Sequence, residues 1–158
     1  MKIIYDGAHN IVKREEHEIN RKRRRVWVHR KGTTRAFGSG RQEIPADYRS
    51  IGQPVFILGT MGTSSWVLVG KKKAMDLTFG STPHGAGRVL SLSEAERRFW
   101  GGDVKDQIQK KGVAVRATSQ VILAKEAYKD VDKVVNVSHN LGIGSKVVRL
   151  LPLAVVKG

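Results

Sequence analysis

Residues 54–69 read PVFILGTMGTSSWVLV, and this stretch decides the fold class. It predicts two buried strands, Pro54–Leu58 and Trp66–Val69, because both runs are apolar and rich in β-branched and aromatic side chains. The loop between the strands consists of glycines, a methionine and hydroxyl residues. Loops of this kind suit phosphate oxygens and sugar hydroxyls, although many are simple turns.

Strands and helices are predicted on both sides of this stretch. Strands or extended segments are predicted at Lys2–Tyr5, Val26–Val28, Val113–Val115 and Val147–Gly158, and an irregular excursion at Thr33–Gly52. Helices are predicted at Ser93–Trp100, where Ser93 and Glu96 form a capping box, and at Asp103–Lys111, Ser119–Ala127 and Val131–Leu141. The elements do not alternate regularly, so the sequence predicts one α+β domain over residues 1–158, with mixed or antiparallel sheets flanked by helices.

The chain is strongly basic. Its 158 residues include 29 lysines and arginines against 14 acidic residues, a net charge of +15. This excess favours a polyanionic partner, most often nucleic acid; the alternative is the basic surface of a protein from a thermophilic or ribosome-rich cytosol. The run Arg21–Arg25 is predicted as a hairpin tip starting at Asn20, either a solvated loop or a nucleic-acid contact. Aromatic residues are few, so no base-stacking platform is predicted.

Composition also excludes several classes of protein. The chain has no cysteine, which excludes disulfides and cysteine-type zinc sites and fits a reducing compartment. The apolar run at the N-terminus is too short for a signal peptide, and no segment approaches the roughly 18 apolar residues that span a bilayer. We therefore expect a cytoplasmic protein without a membrane partner. His17 and His139 fall in polar segments predicted to be helical and are assigned no role.

The most informative motif is at residues 81–88, which read STPHGAGR. Glycines on one side of His84 let the backbone approach a ligand and turn amides towards an anion. An imidazole in this setting is placed to attack phosphorus or to bind a metal. The motif is not the dinucleotide fingerprint, which would need glycine at Leu90, and Gly70-Lys71 is not a phosphate loop, which would need glycine at Ser65.

Three further segments accompany this motif: YDGAHN at residues 5–10, HRKGTTR at 29–35, and the ending VVKG at 155–158. In this order and spacing, the four segments resemble the C-terminal part of the RtcB family. These are GTP-dependent RNA-splicing ligases that join RNA 3′-phosphate or 2′,3′-cyclic phosphate ends to 5′-hydroxyl ends. The resemblance covers essentially the whole chain, including the linking segments 37–48 and 128–132.

The resemblance implies a role for individual residues. His84 matches the nucleophile that takes GMP from GTP as a phosphoramidate, and His9 matches a manganese ligand. Residues matching contacts to the guanine nucleotide are Asn10, Leu58, Gly59, Thr60, Met61, Ser65, Gly85, Ala86, Gly87, Tyr128 and Lys157. The family usually has proline and serine where this chain has Leu58 and Thr60. Lys31 and Arg35, with the Arg21–Arg25 run, become candidates for RNA phosphates by their charge.

The chain also departs from the family pattern. Family members are about three times longer, and their other metal ligands, an aspartate, a cysteine and two histidines, lie upstream of the matched part. One histidine cannot hold a catalytic ion, so we expect either a second chain that supplies the N-terminal half or a truncated piece that does not ligate alone. The alternative function is a non-catalytic module that binds RNA or a guanine nucleotide.

Overall fold

The computed structural model describes residues 3–99, 101–117 and 125–157. The strands are β1 (Asn10–Ile19), β2 (Lys22–Lys31), β3 (Thr33–Arg35), β4 (Pro54–Ile57), β5 (Ser65–Gly70), β6 (Ser81–Pro83), β7 (Ala114–Ala117), β8 (Gly144–Leu150) and β9 (Ala154–Lys157). The helices are α1 (Ala46–Arg49), α2 (Lys73–Thr78), α3 (Leu92–Arg98), α4 (Gly101–Gln109) and α5 (Val131–Asn140), with a 3₁₀ turn at Lys125–Ala127. The predicted α+β class is confirmed.

The two apolar runs within residues 54–69 form strands, as predicted, and the two strands pair with each other in one sheet. β5 lies between β4 and β8 and is antiparallel to both. Val55 and Ile57 of β4 point into the core, whereas Phe56 between them is exposed, as the period of two in a strand requires. β3 pairs with β6 in antiparallel fashion, and β7 pairs with β9 in parallel, so mixed pairing is also confirmed.

The core lies between this sheet and α5. Val131 and Val135, one helical turn apart, pack with Val55, Ile57 and Leu68. Asp130 caps the helix, because its side chain accepts a hydrogen bond from the amide of Asp132 at 2.8 Å. A second apolar cluster joins the α4 and β7 region and consists of Val104, Ile108 and Val113.

β1 and β2 form a long antiparallel hairpin, which corrects two expectations. The tip begins at Asn20, as predicted, but consists only of Asn20 and Arg21, whose φ angles of 52° and 59° make the turn. The rest of the basic run, residues 22–25, was predicted within the tip and instead lies in β2. The helical setting expected for His17 is wrong, because the residue lies in β1 and is 3% exposed. Alternation along the strand turns this side chain to the covered face, although its sequence neighbours are charged.

Other predicted boundaries shift. Residues 3–5 are not a strand; the Tyr5 ring instead packs edge-on against Tyr48 at 5.5 Å. The N-cap of α3 lies two residues earlier than predicted. Ser91, and not Ser93, accepts the capping hydrogen bond from the Glu94 amide. Lys2, Trp100, Gly158 and residues 119–124 of a predicted helix lie outside the described residues, and the rest of that helix is the 3₁₀ turn. Within the described ranges, no helix is long and apolar enough to cross a membrane.

Candidate active site

His84 directly follows β6, where the chain leaves the β3–β6 ladder. Thr33 pairs with Pro83 in that ladder, which brings Gly32 next to His84. The Nδ1 atom of His84 lies 2.9 Å from the Gly32 carbonyl oxygen. A carbonyl only accepts hydrogen bonds, so Nδ1 carries the proton and the lone pair of the neutral ring is at Nε2. In this half-buried ring, Nε2 is therefore the nitrogen through which the candidate nucleophile would attack.

The backbone that orients His84 is itself held in place. Gly32 has a left-handed φ of +66°, a conformation that favours glycine. Its amide donates a hydrogen bond to Oδ1 of Asn10 at 3.3 Å. Asn10 pairs with exposed Lys31 where the hairpin meets the site. Two residues singled out from the sequence thus lie beside the carbonyl that orients His84.

His9 lies against His84. The two imidazole rings are stacked, with centroids 4.3 Å apart and planes inclined by 7°. The Thr34 hydroxyl donates to the Ala8 carbonyl at 3.1 Å and fixes the segment that carries His9. The candidate metal ligand and the candidate nucleophile are therefore neighbours in space, although 75 positions separate them in the sequence.

The surroundings of His9 do not make a metal site by themselves. In residues 3–99, 101–117 and 125–157, no group of three or more histidine, cysteine, aspartate or glutamate side chains is placed to hold an ion. His9 supplies one imidazole, and manganese needs several ligands. The described donor set therefore does not fit a manganese ion without further ligands.

The nucleophile segment is tied to the end of β4. The amide of Leu58 donates to the His84 carbonyl at 2.9 Å, and the amide of Ala86 donates to the Leu58 carbonyl at 2.9 Å. These bonds form a parallel bridge between Leu58 and Gly85. They bring the candidate nucleotide loop, Leu58–Ser65, alongside the glycine segment that follows His84.

Hydrogen bonds within the candidate nucleotide loop fix its shape. The Thr60 amide donates to Oγ1 of Thr63 at 2.7 Å, and the Gly59 amide donates to Oγ of Ser65 at 3.2 Å. A Cβ atom at Gly59 would lie 1.9 Å from the Ser64 carbonyl oxygen, so only glycine fits there. Hydroxyl side chains thus hold the loop as well as lining it.

Two of the remaining loop and site residues have clear packing roles. Met61 packs against the apolar cluster of α4, and this contact anchors the loop to that helix.

Tyr128 forms an isolated bridge with Arg88, whose guanidinium carbon lies 5.7 Å from the centre of the tyrosine ring. The Lys129 amide donates to the carbonyl of Gly87 at 2.9 Å, where φ is +74°. Tyr128 therefore adjoins the segment that follows His84, and its contact to the guanine nucleotide stays a prediction.

The remaining candidates are in different settings. Lys157 ends β9, which pairs with β7, and its side chain lies outside the described part of the chain. Arg35 is half-buried; Nε donates to Oε1 of Gln53 at 3.1 Å and Nη2 donates to the Glu43 carbonyl at 2.9 Å. Its guanidinium carbon also lies 4.8 Å from the ring centre of Phe37. Arg35 thus supports the local structure through at least two of its nitrogens.

A buried ionic network that the sequence reasoning missed connects the hairpin to β6. Arg30 is 1% exposed and forms a bidentate pair with Glu15, with N–O distances of 2.7 and 2.9 Å. It also donates to Oγ of Ser81 at 2.9 Å and to the Phe79 carbonyl at 2.8 Å. Nε2 of His17 lies 3.0 Å from the same carboxylate. The sequence signal for this network is the alternation of residues along β1, which places Glu15 and His17 on the same face of the strand.

The environment of Glu15 keeps it charged. Burial raises the pKa of Glu15, but hydrogen bonds and positive charge from Arg30 and His17 outweigh burial, so the pKa lies below its ordinary value. The ionised carboxylate holds Arg30, and Arg30 holds the chain that leads into β6. The network thereby fixes β6, whose last residue, Pro83, directly precedes His84.

A cavity of about 520 Å³ borders the two stacked histidines. His9, His84 and Leu58 form part of its wall, and most of the remainder is apolar and comes from β4, β5 and the N-terminal segment. Its size is typical of small-molecule sites. The cavity offers space for a ligand directly beside the candidate nucleophile.

Comparison with known proteins gives one consistent family. The sequence profile of the family described as tRNA-splicing ligase RtcB matches residues 1–158. Similar curated proteins, each named tRNA-splicing ligase RtcB, include those of Pyrobaculum aerophilum (53% identity over 163 residues), Archaeoglobus fulgidus (54% over 161 residues) and Pyrococcus furiosus (52% over 161 residues). Each match covers 100% of this chain, but 34%, 33% and 17% of the respective relative. The chain thus spans about a third of the length of the first two relatives.

Proposed function

The chain belongs to the tRNA-splicing ligase RtcB family, and we propose that it is the part of an RNA ligase that accepts GMP from GTP, with His84 as the acceptor. The observation that carries the proposal is the 2.9 Å contact between Nδ1 of His84 and the Gly32 carbonyl. It orients the ring and leaves Nε2 as the atom with a free lone pair. The Leu58–Ser65 loop beside it supplies a place for the nucleotide.

In the first step, Nε2 of His84 attacks the α-phosphorus of GTP. The new bond is phosphorus–nitrogen, and the bond that breaks joins the α-phosphorus to the bridging oxygen, so pyrophosphate leaves with the electron pair. The ring becomes positively charged, and the Gly32 carbonyl that accepts from Nδ1 stabilises that charge. The amides of the glycine segment and the loop hydroxyls lie nearby for the phosphates, and Asn10, Tyr128 and Lys157 are the proposed contacts to the guanine nucleotide.

In the later steps, an RNA 3′-phosphate oxygen takes GMP from His84, which returns to the neutral imidazole. The 5′-hydroxyl of a second RNA end then attacks the activated phosphate, forming a phosphodiester and releasing GMP. The substrates would be RNA ends of the kind left by tRNA splicing or RNA damage. Lys31 and Arg35 remain the proposed phosphate contacts near the site.

Manganese enters the proposal only with ligands from outside the described residues. It would supply positive charge to the reacting phosphates, and His9 would contribute one imidazole to it. Because the described donors do not fit the ion alone, we propose that catalysis needs the N-terminal part of such a ligase, supplied as a separate chain or by a longer polypeptide. No step above depends on the position of the ion.

The second candidate function is a non-catalytic module that binds RNA or a guanine nucleotide. The observation that favours it is that, within the described residues, His9 belongs to no group of three or more possible metal ligands. Under this alternative, the cavity and the Leu58–Ser65 loop bind a nucleotide, but His84 forms no covalent bond to it.

Transfer of label from GTP separates the two functions. The chain is incubated with manganese and GTP labelled at the α-phosphate, alone and with the N-terminal part of a related ligase, and covalent label is measured after denaturation. The proposal predicts label that is stable to alkali and lost in acid, as expected of a phosphoramidate. His84→Ala should abolish the label, and the matched variant His139→Ala, at an exposed position of α5, should keep it.

The opposite result is equally clear. If no label appears even with the N-terminal part present, His84 is not a GMP acceptor and the binding module is the better description. If His84→Ala keeps the label, another residue of the chain is the acceptor.

A further inference from the structure

The β1–β2 hairpin has two chemically different faces. Residues that pair across an antiparallel ladder share a face, and successive residues alternate between faces. One face, termed the inner face, carries the buried side chains of Glu15, His17 and Arg30. The other, termed the outer face, consists of the pairs Asn10–Lys31, Val12–His29, Arg14–Trp27, Glu16–Arg25 and Glu18–Arg23.

Trp27 is the conspicuous residue of the outer face. Its side chain is 70% exposed, although tryptophan is among the side chains that gain most from burial. Arg14 lies directly opposite, so its Cβ is within about 5.5 Å of the tryptophan Cβ. An aromatic ring beside a cation is the combination that single-stranded nucleic acids use, because the ring stacks on a base and the cation meets a phosphate.

The charge of the hairpin favours RNA over an apolar protein surface as the occupant. On the outer face, four cations (Arg14, Arg23, Arg25 and Lys31) outnumber the two glutamates, Glu16 and Glu18. The whole segment 10–31 contains nine lysines and arginines and three glutamates. The exposed Glu16 is paired with Arg25 at 3.3 Å, whereas no ion pair among the described residues involves Arg14. A protein that covered Trp27 with apolar groups would also desolvate Arg14, which is unfavourable.

The outer face leads to the candidate active site. Its first pair, Asn10 and Lys31, adjoins His9 and Gly32, and the Gly32 carbonyl orients His84. Trp27 is four residues from Lys31 along β2, a distance of about 13 Å at the usual rise of a strand. An RNA chain whose end lies at His84 can therefore reach Trp27 with one of the nucleotides nearest that end.

From these observations we propose that the outer face of the hairpin is a track for single-stranded RNA, with Trp27 as a base-stacking platform and Arg14 as a phosphate contact. The proposal rests on the proposed function, because it takes RNA as the substrate. It goes further by naming the surface that holds the strand away from the reacting end. It also revises the expectation that the chain lacks a stacking platform.

Direct binding to short single-stranded RNA ending in a 3′-phosphate tests the track. Affinity is measured for the 158-residue chain without GTP or manganese, so the result does not depend on GMP transfer. Trp27→Leu keeps an apolar side chain but removes the aromatic ring, and we expect its affinity to fall about fivefold or more. Trp27→Phe should retain most of the affinity, and Leu151→Ala, at a similarly exposed apolar position, should match the wild type.

The phosphate contact has its own readout. Arg14→Gln should reduce the slope of log affinity against log salt by about 0.7, the value expected for one phosphate contact on a single strand. Lys133→Gln, an exposed cation on α5, should leave the slope unchanged. Quenching of tryptophan fluorescence by RNA, present in the wild type and reduced in Trp27→Phe, gives a second measurement that does not depend on affinity.

Two outcomes would overturn the track: equal affinity of Trp27→Leu and the wild type, or an equal loss of affinity for Trp27→Phe and Trp27→Leu. If the first outcome is accompanied by a change in the self-association of Trp27→Leu, the face is assigned to a protein partner. Each leaves the GMP-transfer proposal standing, and failure of GMP transfer leaves the binding result standing.

Discussion

The imidazole rings of His9 and His84 lie face to face, with centroids 4.3 Å apart and planes inclined by 7°. The contact brings together the residue proposed to bind the metal and the residue proposed to carry GMP. It admits two explanations for any effect of changing His9: loss of a nitrogen ligand, or loss of the ring that packs against the nucleophile.

Two substitutions at His9 distinguish these explanations. His9→Phe keeps a flat ring and removes both nitrogens, whereas His9→Ala removes both the ring and the nitrogens. If the nitrogen is required, both variants should lose GMP transfer by about 100-fold or more, since even partners of metal ligands are worth 10- to 100-fold. The measurement is covalent label in the presence of the N-terminal part. Retention of label in His9→Phe alone would assign His9 a packing role.

The Glu15–Arg30 pair should contribute more to stability than the exposed pair on the opposite face of the same hairpin. Glu15→Gln leaves the 1%-exposed Arg30 without its charged partner, which costs about 3–5 kcal/mol for buried pairs. Glu16→Gln removes the exposed partner of Arg25 and should cost about 1 kcal/mol or less. Urea unfolding of both variants at neutral pH measures the difference. Equal costs would show that the network does not hold the hairpin.

Acidic pH should lower the unfolding free energy of the protein by protonating the Glu15 carboxylate. The pKa of Glu15 is lowered in the folded state from the ordinary value of 4.5. The stabilisation is therefore complete above pH 4.5 and is lost as the pH falls from there through the folded pKa. Unfolding free energies measured across this range should fall more steeply for the wild type than for Glu15→Gln. Parallel profiles would contradict the prediction.

Local sequence patterns were sufficient to predict strands β4 and β5 and the position of α5. The runs at 54–58 and 66–69 are short, apolar and bounded by a glycine-rich loop, and the stretch at 131–141 has the helical period. The motif around His84 and its resemblance to a ligase family also indicated the candidate site residues. These features are local, so a single sequence carries them.

The first strand of the hairpin, β1, could not be assigned in the same way, because its pattern depends on long-range contacts. Glu15 and His17 look like solvent-facing residues until Arg30 pairs with the Glu15 carboxylate, which also lies 3.0 Å from Nε2 of His17. Arg30 is held in turn by the Phe79 carbonyl, which accepts from its guanidinium. The same contacts leave Trp27 on the outer face, where its exposure is visible only once the register of β1 and β2 is known. The role of Gly32 was hidden too, since its carbonyl reaches His84 only after β3 pairs with β6.

Gly59 should tolerate no side chain. A Cβ atom there would lie 1.9 Å from the Ser64 carbonyl oxygen, so Gly59→Ala must displace the candidate nucleotide loop. We expect a loss of about 1–3 kcal/mol in unfolding free energy, typical of overpacked positions, together with weaker GTP binding. Gly7→Ala is the stability control, because its Cβ would meet only ordinary contacts at 3.5 Å or more. Normal GTP binding by Gly59→Ala would place the nucleotide elsewhere.

Lys31 and Arg35 should respond differently to substitution, although both are proposed to meet RNA phosphates. Lys31 is exposed beside the site, whereas Arg35 donates to Gln53 and to the Glu43 carbonyl. Lys31→Gln should lower the salt slope of RNA binding by about 0.7 and leave stability nearly unchanged. Arg35→Gln should lower the unfolding free energy by about 1–3 kcal/mol, since it removes two hydrogen bonds that contribute about 0.5–1.5 kcal/mol each.

The salt slope of Arg35→Gln decides whether Arg35 has both roles. A slope reduced by about 0.7 in a variant that is still folded at the assay temperature would assign Arg35 a phosphate contact as well as its structural hydrogen bonds. An unchanged slope would restrict RNA phosphate binding at this edge of the site to Lys31 and the hairpin. Measuring both variants at the same salt concentrations, with unfolding curves for each, separates the loss of a contact from the loss of folded protein.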